Sequence, residues 1–197
     1  MKPGRSADPE NSPTRAALLD AAEQIMLEEG YAAVTTRRLA ARAGANSALV
    51  YYYFGTMDNL FAELFRRGAD RSYRLQVEAL DSPQPLWALW EAIHDQSQTA
   101  LTMEFVALAN HRKAIRAEIV ESSRRFRTLQ LDAVTKVFAD YGYESATYTP
   151  AAVVLLMSSI SRFLRMEEAF DVDAGHEEVI RLIETFLREL EGERQTV

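Results

Sequence analysis

The chain has 197 residues, 48% of them apolar and 26% charged, enough to bury a sizeable core in one or two domains. It has no cysteine, which excludes disulfide scaffolds and cysteine-based metal or redox sites, and its net charge of −7 argues at first against a nucleic-acid partner. The opening MKPGRSADPENSP has no apolar signal-peptide core, and the longest apolar run, Ala151–Met157, is far short of the roughly 20 residues that span a bilayer, so a soluble, cytoplasmic protein without membrane contact is expected.

Residues 1–11 are polar, carry two prolines and show no periodicity, which predicts a flexible arm. Ser12-Pro13 is a helix start, a capping hydroxyl followed by proline at the first helical position. Apolar residues then recur with helical period at Ala17, Leu18, Ala21, Ala22, Ile25 and Met26, until Gly30 stops the helix. Thr35-Thr36 caps a short second helix with Leu39, Ala40 and Ala43 inside, and Gly44 ends it. Asn46 caps a third, with Val50 and Phe54 on its inner side. Two short helices joined by a glycine-containing turn form the helix-turn-helix pattern, whose second helix enters the major groove of DNA.

Gly55-Thr56 opens a longer helix, Met57 to about Leu80, which Pro83 and Pro85 break. Helical stretches follow at about 85–96, 98–110, 112–141 and 150–170, and an amphipathic helix runs from Asp173 or Ala174 to about Gly192, with Val179, Ile180, Ile183, Phe186, Leu187 and Leu190 as its stripe. No strand pattern or internal repeat is present. The chain reads as all-α with about nine helices: an arm at 1–11, a helix-turn-helix domain at 12–56 and a larger helical domain at 57–197.

The charge is unevenly spread. Residues 1–56 carry six basic and six acidic side chains, and every one of those acids lies at or before Glu29. Residues 30–56 hold Arg37, Arg38 and Arg42 and no acid, a local basic patch compatible with a phosphate backbone.

Residues 13–64 resemble the DNA-binding domain of the TetR (tetracycline-repressor) family. The likeness rests on Thr36, Leu39-Ala40, Ala43-Gly44, Asn46 and Tyr51-Tyr52-Tyr53-Phe54. Two positions depart from the pattern: the turn has Ala45-Asn46 where Val-Ser is more usual, and Met57 stands where the family commonly has a phosphate-contacting lysine. The resemblance implies a DNA-binding face made of Thr36, Arg37, Arg38, Asn46, Ser47, Ala48, Leu49, Tyr51, Tyr52, Tyr53 and Thr56. Four consecutive aromatics on one helix point around its whole circumference, so they cannot all be core. Val50 and Phe54 face inward, Tyr51 packs at the edge, and Tyr52 and Tyr53 point toward the groove wall, where hydroxyls bond phosphates and fix register. Ser47, Ala48 and Leu49 are placed for base edges and thymine methyls. Thr36, Arg37 and Arg38 open the preceding helix beside the backbone, and Lys2 and Arg5 in the arm are candidates for a minor groove.

One reading helix covers only a few base pairs, and two half-sites need two protomers. The 150–170 stretch is apolar over most of its circumference (Val153, Val154, Leu155, Leu156, Met157, Ile160, Phe163, Leu164), and with the final helix, 174–191, it is the expected homodimer interface. The resemblance further implies a repressor of the bacterial type, released from a double-stranded DNA operator by a small apolar or aromatic effector and associated with the nucleoid. Candidate pocket residues are Trp87, Trp90, His94, Met103, Phe105, Phe126, Leu129 and Met157. Cofactors and metals are not expected.

Two other classes compete. Glu91-x-x-His94 has the spacing of di-iron helical bundles, which would make the chain a metal-dependent enzyme, but neither His111 nor His176 has a Glu three residues before it, and Glu104 with His111 is a single face-sharing pair. No catalytic nucleophile or phosphate loop is present. A regulator controlled by a protein partner, or by none, is the other: Arg112, Lys113, Arg116, Arg124, Arg125 and Arg127 suit an acidic partner, against the expectation that they pair along their own helix with Glu118 and Glu121.

Overall fold

The computed structural model describes residues 12–94 and 96–195. Its elements among those residues are nine α-helices and one 3-10 turn, with no strand. The helices are α1 (Pro13–Glu29), α2 (Thr36–Arg42), α3 (Ser47–Phe54), α4 (Met57–Leu80), α5 (Pro85–His94), α6 (Gln96–Ala109), α7 (Lys113–Asp140), α8 (Pro150–Glu168) and α9 (His176–Glu191). Among the described residues no helix is long and apolar enough to cross a membrane. The arm at 1–11, with Lys2 and Arg5, lies outside the described residues.

These residues divide into two compact units. One takes the chain up to Gly68 together with Ala100–Val120; the other takes Ala69–Thr99 and the chain from Glu121 on. The helices α4, α6 and α7 each belong in part to both.

In the first unit, α1 buries Leu18, Leu19, Ala21, Ala22, Ile25 and Met26, the spacing its sequence shows. Leu39 and Ala40 of α2, and Val50 and Phe54 of α3, close on them. The core does not stop at the helix-turn-helix. Leu60, Phe61 and Leu64 of α4 join it, as do Leu101, Phe105 and Leu108 of α6 and Ile115 of α7, with Phe65 meeting Phe105 edge-on at 5.2 Å. The Glu104 carboxylate accepts from the Tyr31 amide at 2.7 Å and so caps the 3-10 turn Tyr31–Ala33. Gly30 has φ of +82°, and a Cβ there would sit 3.4 Å from the same carboxylate. That distance is an ordinary contact, so it is the left-handed backbone that calls for glycine.

Three helix starts follow the capping chemistry of a Thr or Asn, and the start of α1 does not. Thr35 Oγ1 accepts from the Arg38 amide, Asn46 Oδ1 from the Ala48 amide at 2.8 Å, and Thr149 Oγ1 from the Ala152 amide at 3.2 Å. Ser12 is the exception: it occupies the cap position of α1, but its hydroxyl makes no capping bond and instead meets the Tyr53 hydroxyl at 2.8 Å. The final helix starts at His176 rather than 173 or 174, because Gly175 turns into the left-handed region at φ +87°.

The second unit is built on Leu86, Trp87, Leu89 and Trp90 of α5, Val134, Val137 and Phe138 of α7, Val153, Val154 and Met157 of α8, and Ile183 and Leu187 of α9. The segment after α9 straps α5 down. Glu191 accepts from the Leu86 and Trp87 amides at 2.9 and 3.0 Å, serving as N-cap to a helix more than a hundred residues earlier. The buried Gln84 amide donates to the Glu191 and Glu193 carbonyls at 3.0 and 2.8 Å. Trp87 Nε1 donates to the Gly192 carbonyl at 3.1 Å. The Tyr141 hydroxyl donates to Glu191 at 2.9 Å, and burial together with that carboxylate pushes its pKa up to about 12.

The arginines at the start of α7 do not pair as their own helix would suggest. Arg112 pairs with Asp58 and covers the Phe61 ring, Glu118 takes Arg66, and Arg125 pairs with Asp70 at 2.6 Å while stacking 3.7 Å from the Tyr73 ring. All three partners lie on α4. Spacing along one helix offered pairing within α7, but the tertiary packing brings α4 acids and rings closer.

Candidate nucleic-acid interface

The candidate reading head is the three-helix group α1–α3. Val50 is 1% exposed and Phe54 5%, whereas Tyr51 is 55% and Tyr52 67% exposed. The four aromatics therefore split by helical position. Tyr52 is the outward ring expected. Tyr51 lies further out than an edge position, its hydroxyl 3.4 Å from Thr36 Oγ1. Tyr53 departs from the expectation of an outward ring: it is half-buried, packs against the core, meets Tyr52 edge-on at 5.0 Å, and spends its hydroxyl on Ser12. Its bond ties the start of α1 to α3. The reason is rotational, since Tyr53 follows Val50 by three residues and shares its side of α3.

Ser47 and Ala48 are exposed and Leu49 half-exposed at the start of α3. Asn46 is exposed but its side-chain oxygen is committed to the cap. Thr56 is exposed and accepts from the Asn59 amide at 3.1 Å. Met57 does not point away as a lysine would. It packs on the core, and its sulfur accepts from Thr36 Oγ1 at 3.6 Å.

The arginines are only partly available. Arg38 is paired with Glu29, and Arg42 donates to both oxygens of Glu28 at 3.1 and 2.7 Å. The hydrogen bond from Arg42 holds the Glu28 carboxyl below the usual carboxylate range, and that from Arg38 does the same for Glu29. Among the described residues Arg37 alone of the three has no ion-pair partner. Reading residues 30–56 as a stretch without acids misses this, because the two carboxylates arrive from α1. The signal in the sequence was the Glu28-Glu29 pair at a helix C-terminus, an unfavourable place for acids.

Residues 18–64 match the family described as bacterial regulatory proteins, tetR family. The N-terminal helices of the chain thus carry a domain of the tetR type. The chain is similar along most of its length to the HTH-type transcriptional repressor BepR of Brucella suis biovar 1 (strain 1330), with 25% identity over 201 residues covering 93% of this chain and 96% of that protein. Among solved structures the fold is shared with Salmonella enterica GusR (TM-score 0.71, 18% identity, 92% of this chain and 96% of that one) and with reduced E. coli NemR (TM-score 0.72, 16% identity, 87% and 96%). The matched stretch contains the helix-turn-helix pair α2 and α3, at the N-terminal end of the described residues.

The eight candidate pocket residues do not converge. Phe105 is in the core of the first unit, and Met103 is 40% exposed on the same helix. In the second unit Met157 is 1% exposed in the core, and Phe126 meets Tyr73 edge-on at 5.7 Å. Trp87, Trp90 and His94 border a cleft of about 540 Å³ with Ile180 and Glu184. Leu129 borders a larger one of about 940 Å³, where Tyr73, Val77 and Tyr141 stand beside the charged Asp81, Glu121, Arg124, Arg125, Asp132, Lys136 and Asp140. Burial, and secondarily the neighbouring Arg165, keep the His94 imidazole below its ordinary pKa; the ring stacks on Trp90 at 4.9 Å and its Nδ1 has no hydrogen-bond partner among the described residues. As for the metal reading, Glu91 is gripped by Arg194 at 2.6 and 2.7 Å, and no group of three His, Asp or Glu side chains suited to a metal occurs among the described residues.

The helix α8 has two apolar faces. Val153, Val154, Met157 and Leu164 are buried, while Leu155, Leu156 and Phe163 are 54%, 48% and 53% exposed; Leu182 of α9 is 68% exposed. These four large apolar side chains are thus left in solvent on two helices that pack together.

Proposed function

We propose that this regulator is a homodimer that binds a specific operator and represses transcription until a small ligand releases it. The observation that carries the DNA reading is the division of α3. A buried Val50–Phe54 side anchors the helix, and Ser47, Ala48, Tyr51 and Tyr52 stand exposed on the remainder. An exposed helix start offers base contacts, and exposed tyrosine hydroxyls offer phosphate contacts. The DNA contacts are assigned to Thr36, Arg37, Arg38, Ser47, Ala48, Leu49, Tyr51, Tyr52 and Thr56. Asn46 and Tyr53 support them from behind.

The exposed Leu155, Leu156, Phe163 and Leu182 supply the dimer face, a bundle of α8 and α9 from two protomers. The 940 Å³ cleft beside Leu129 is within the size of small-molecule sites, and its aromatic and aliphatic side chains stand among the charged Asp81, Glu121, Arg124, Arg125, Asp132, Lys136 and Asp140, which suits an effector with an apolar or aromatic body and a polar group rather than a purely apolar one. A ligand acts by binding better to a conformation that fits the operator poorly. The helix α4 belongs to both units, so it provides a covalent route for that change. Such a protein works in the cytoplasm at the nucleoid.

The test is binding of purified protein to duplex DNA from upstream of its own coding region, at two salt concentrations, against scrambled duplex. Salt-sensitive preference with two protomers per site is the expected result. Binding without preference for any upstream segment or for two protomers would refute the dimeric operator reading.

A further inference from the structure

The helix α1 ends on two acids where chemistry favours bases. Glu28 and Glu29 fill its last turn, next to carbonyls that already make a helix C-terminus negative, and the turn holds no cation of its own. Helix stability does not account for them. The four side chains of the Arg38–Glu29 and Arg42–Glu28 pairs are 35–54% exposed, and ion pairs in that much water add next to nothing to a fold. What the two carboxylates do achieve is to neutralise two of the three arginines of residues 30–56, leaving Arg37.

A guanidinium grips a carboxylate and a phosphate with the same two-pronged geometry, as Arg42 grips both oxygens of Glu28. An arginine so held contributes no counterion release until it changes partner. We propose that Glu28 and Glu29 are built-in phosphate substitutes that hold Arg42 and Arg38 in the free reading head and so suppress its binding to arbitrary DNA. The proposal rests on the DNA-binding reading above. On random duplex the exchange of carboxylate for phosphate gains little, and it leaves a carboxylate facing the phosphates. On the operator, the added contacts of α3 drive the exchange. Discrimination is thereby widened at the expense of raw affinity, a repulsive element working beside the attractive ones.

The test uses the full chain as Glu28→Gln/Glu29→Gln, which keeps side-chain size and removes both charges. Binding to a scrambled duplex and to the upstream duplex is measured across a salt series, with thermal unfolding as the check on folding. Affinity for scrambled duplex is expected to rise about tenfold or more at low salt, and the log–log salt slope to steepen by up to about two, at roughly 0.9 per phosphate gained. Affinity for the specific duplex should rise less, so the ratio falls. Adding Arg38→Gln/Arg42→Gln to the same chain should cancel the gain. Unchanged affinity and slope on scrambled duplex, with the parent chain still preferring an upstream segment, would overturn this proposal and leave the DNA reading standing. If neither chain binds any duplex, both fall together.

Discussion

Tyr52 and Tyr53 are neighbours with the same hydroxyl in different settings, Tyr52 exposed and Tyr53 half-buried with its hydroxyl against Ser12. Removing each hydroxyl alone, as Tyr52→Phe and Tyr53→Phe, separates contact with DNA from support of the reading head. Tyr52 is 67% exposed, and no hydrogen bond from its hydroxyl occurs among the described residues. Its loss leaves no buried group unpaired, so unfolding should be unchanged within about 0.5 kcal/mol. A hydrogen bond to a charged phosphate is worth about 1.5–3 kcal/mol, which is roughly a 10- to 150-fold loss of operator affinity. Tyr53 is half-buried and shares a 2.8 Å bond with Ser12 across 41 residues of sequence. Losing it should cost about 0.5–1.5 kcal/mol of stability, a fall of roughly 1–6 °C for a chain of this size. Its effect on operator affinity should stay within about threefold, because the hydroxyl faces α1 rather than the groove. The double change Ser12→Ala/Tyr53→Phe should cost little more than either alone, the sign of a shared bond. Filter binding or fluorescence anisotropy gives the affinities, and calorimetry at fixed protein concentration gives the stabilities. Equal losses of DNA affinity from Tyr52→Phe and Tyr53→Phe would refute the division of the two faces.

Glu191→Ala should lower the melting temperature by about 4–8 °C, since removing an N-cap that accepts from two amides costs about 2 kcal/mol; a shift under about 1 °C would show that the strap does not hold α5. Phe163→Asp should raise the dimer dissociation constant at least about tenfold in sedimentation velocity, because a large apolar contact is lost and a charge is placed in the interface; an unchanged constant would move the dimer face off α8. The depressed pKa of His94 implies that the unfolded chain binds a proton at this site more readily, from its ordinary 6.5 downward. Stability at this site is therefore intact above that pH and lost as pH falls below it. The decline in melting temperature between about pH 7.5 and 5 should be shallower in His94→Gln than in the parent chain, and parallel declines would contradict the burial of a neutral ring.

Much of this protein is decided by short-range chemistry, which a linear sequence displays. Helix limits follow from caps and stops: Asn46 before α3, Gly30 after α1 and Thr149-Pro150 before α8 each act on backbone within a few residues. Inner faces follow from periodicity, and Val50, Phe54 and the α1 stripe were legible because a buried position recurs every third or fourth residue. The family motif was legible for the same reason, its residues lying within one contiguous stretch. Long-range partnerships were not. No spacing rule links Ser12 to Tyr53, Glu29 to Arg38 across a glycine turn, Arg125 to Asp70, or Glu191 to the start of α5, because each is set by where packing delivers two distant segments. Those partnerships decide which charged and polar groups of the reading head are left to meet DNA. Composition at 30–56 offers three arginines, and only the tertiary structure, by bringing two acids of α1 against them, leaves a single one without an ion pair among the described residues.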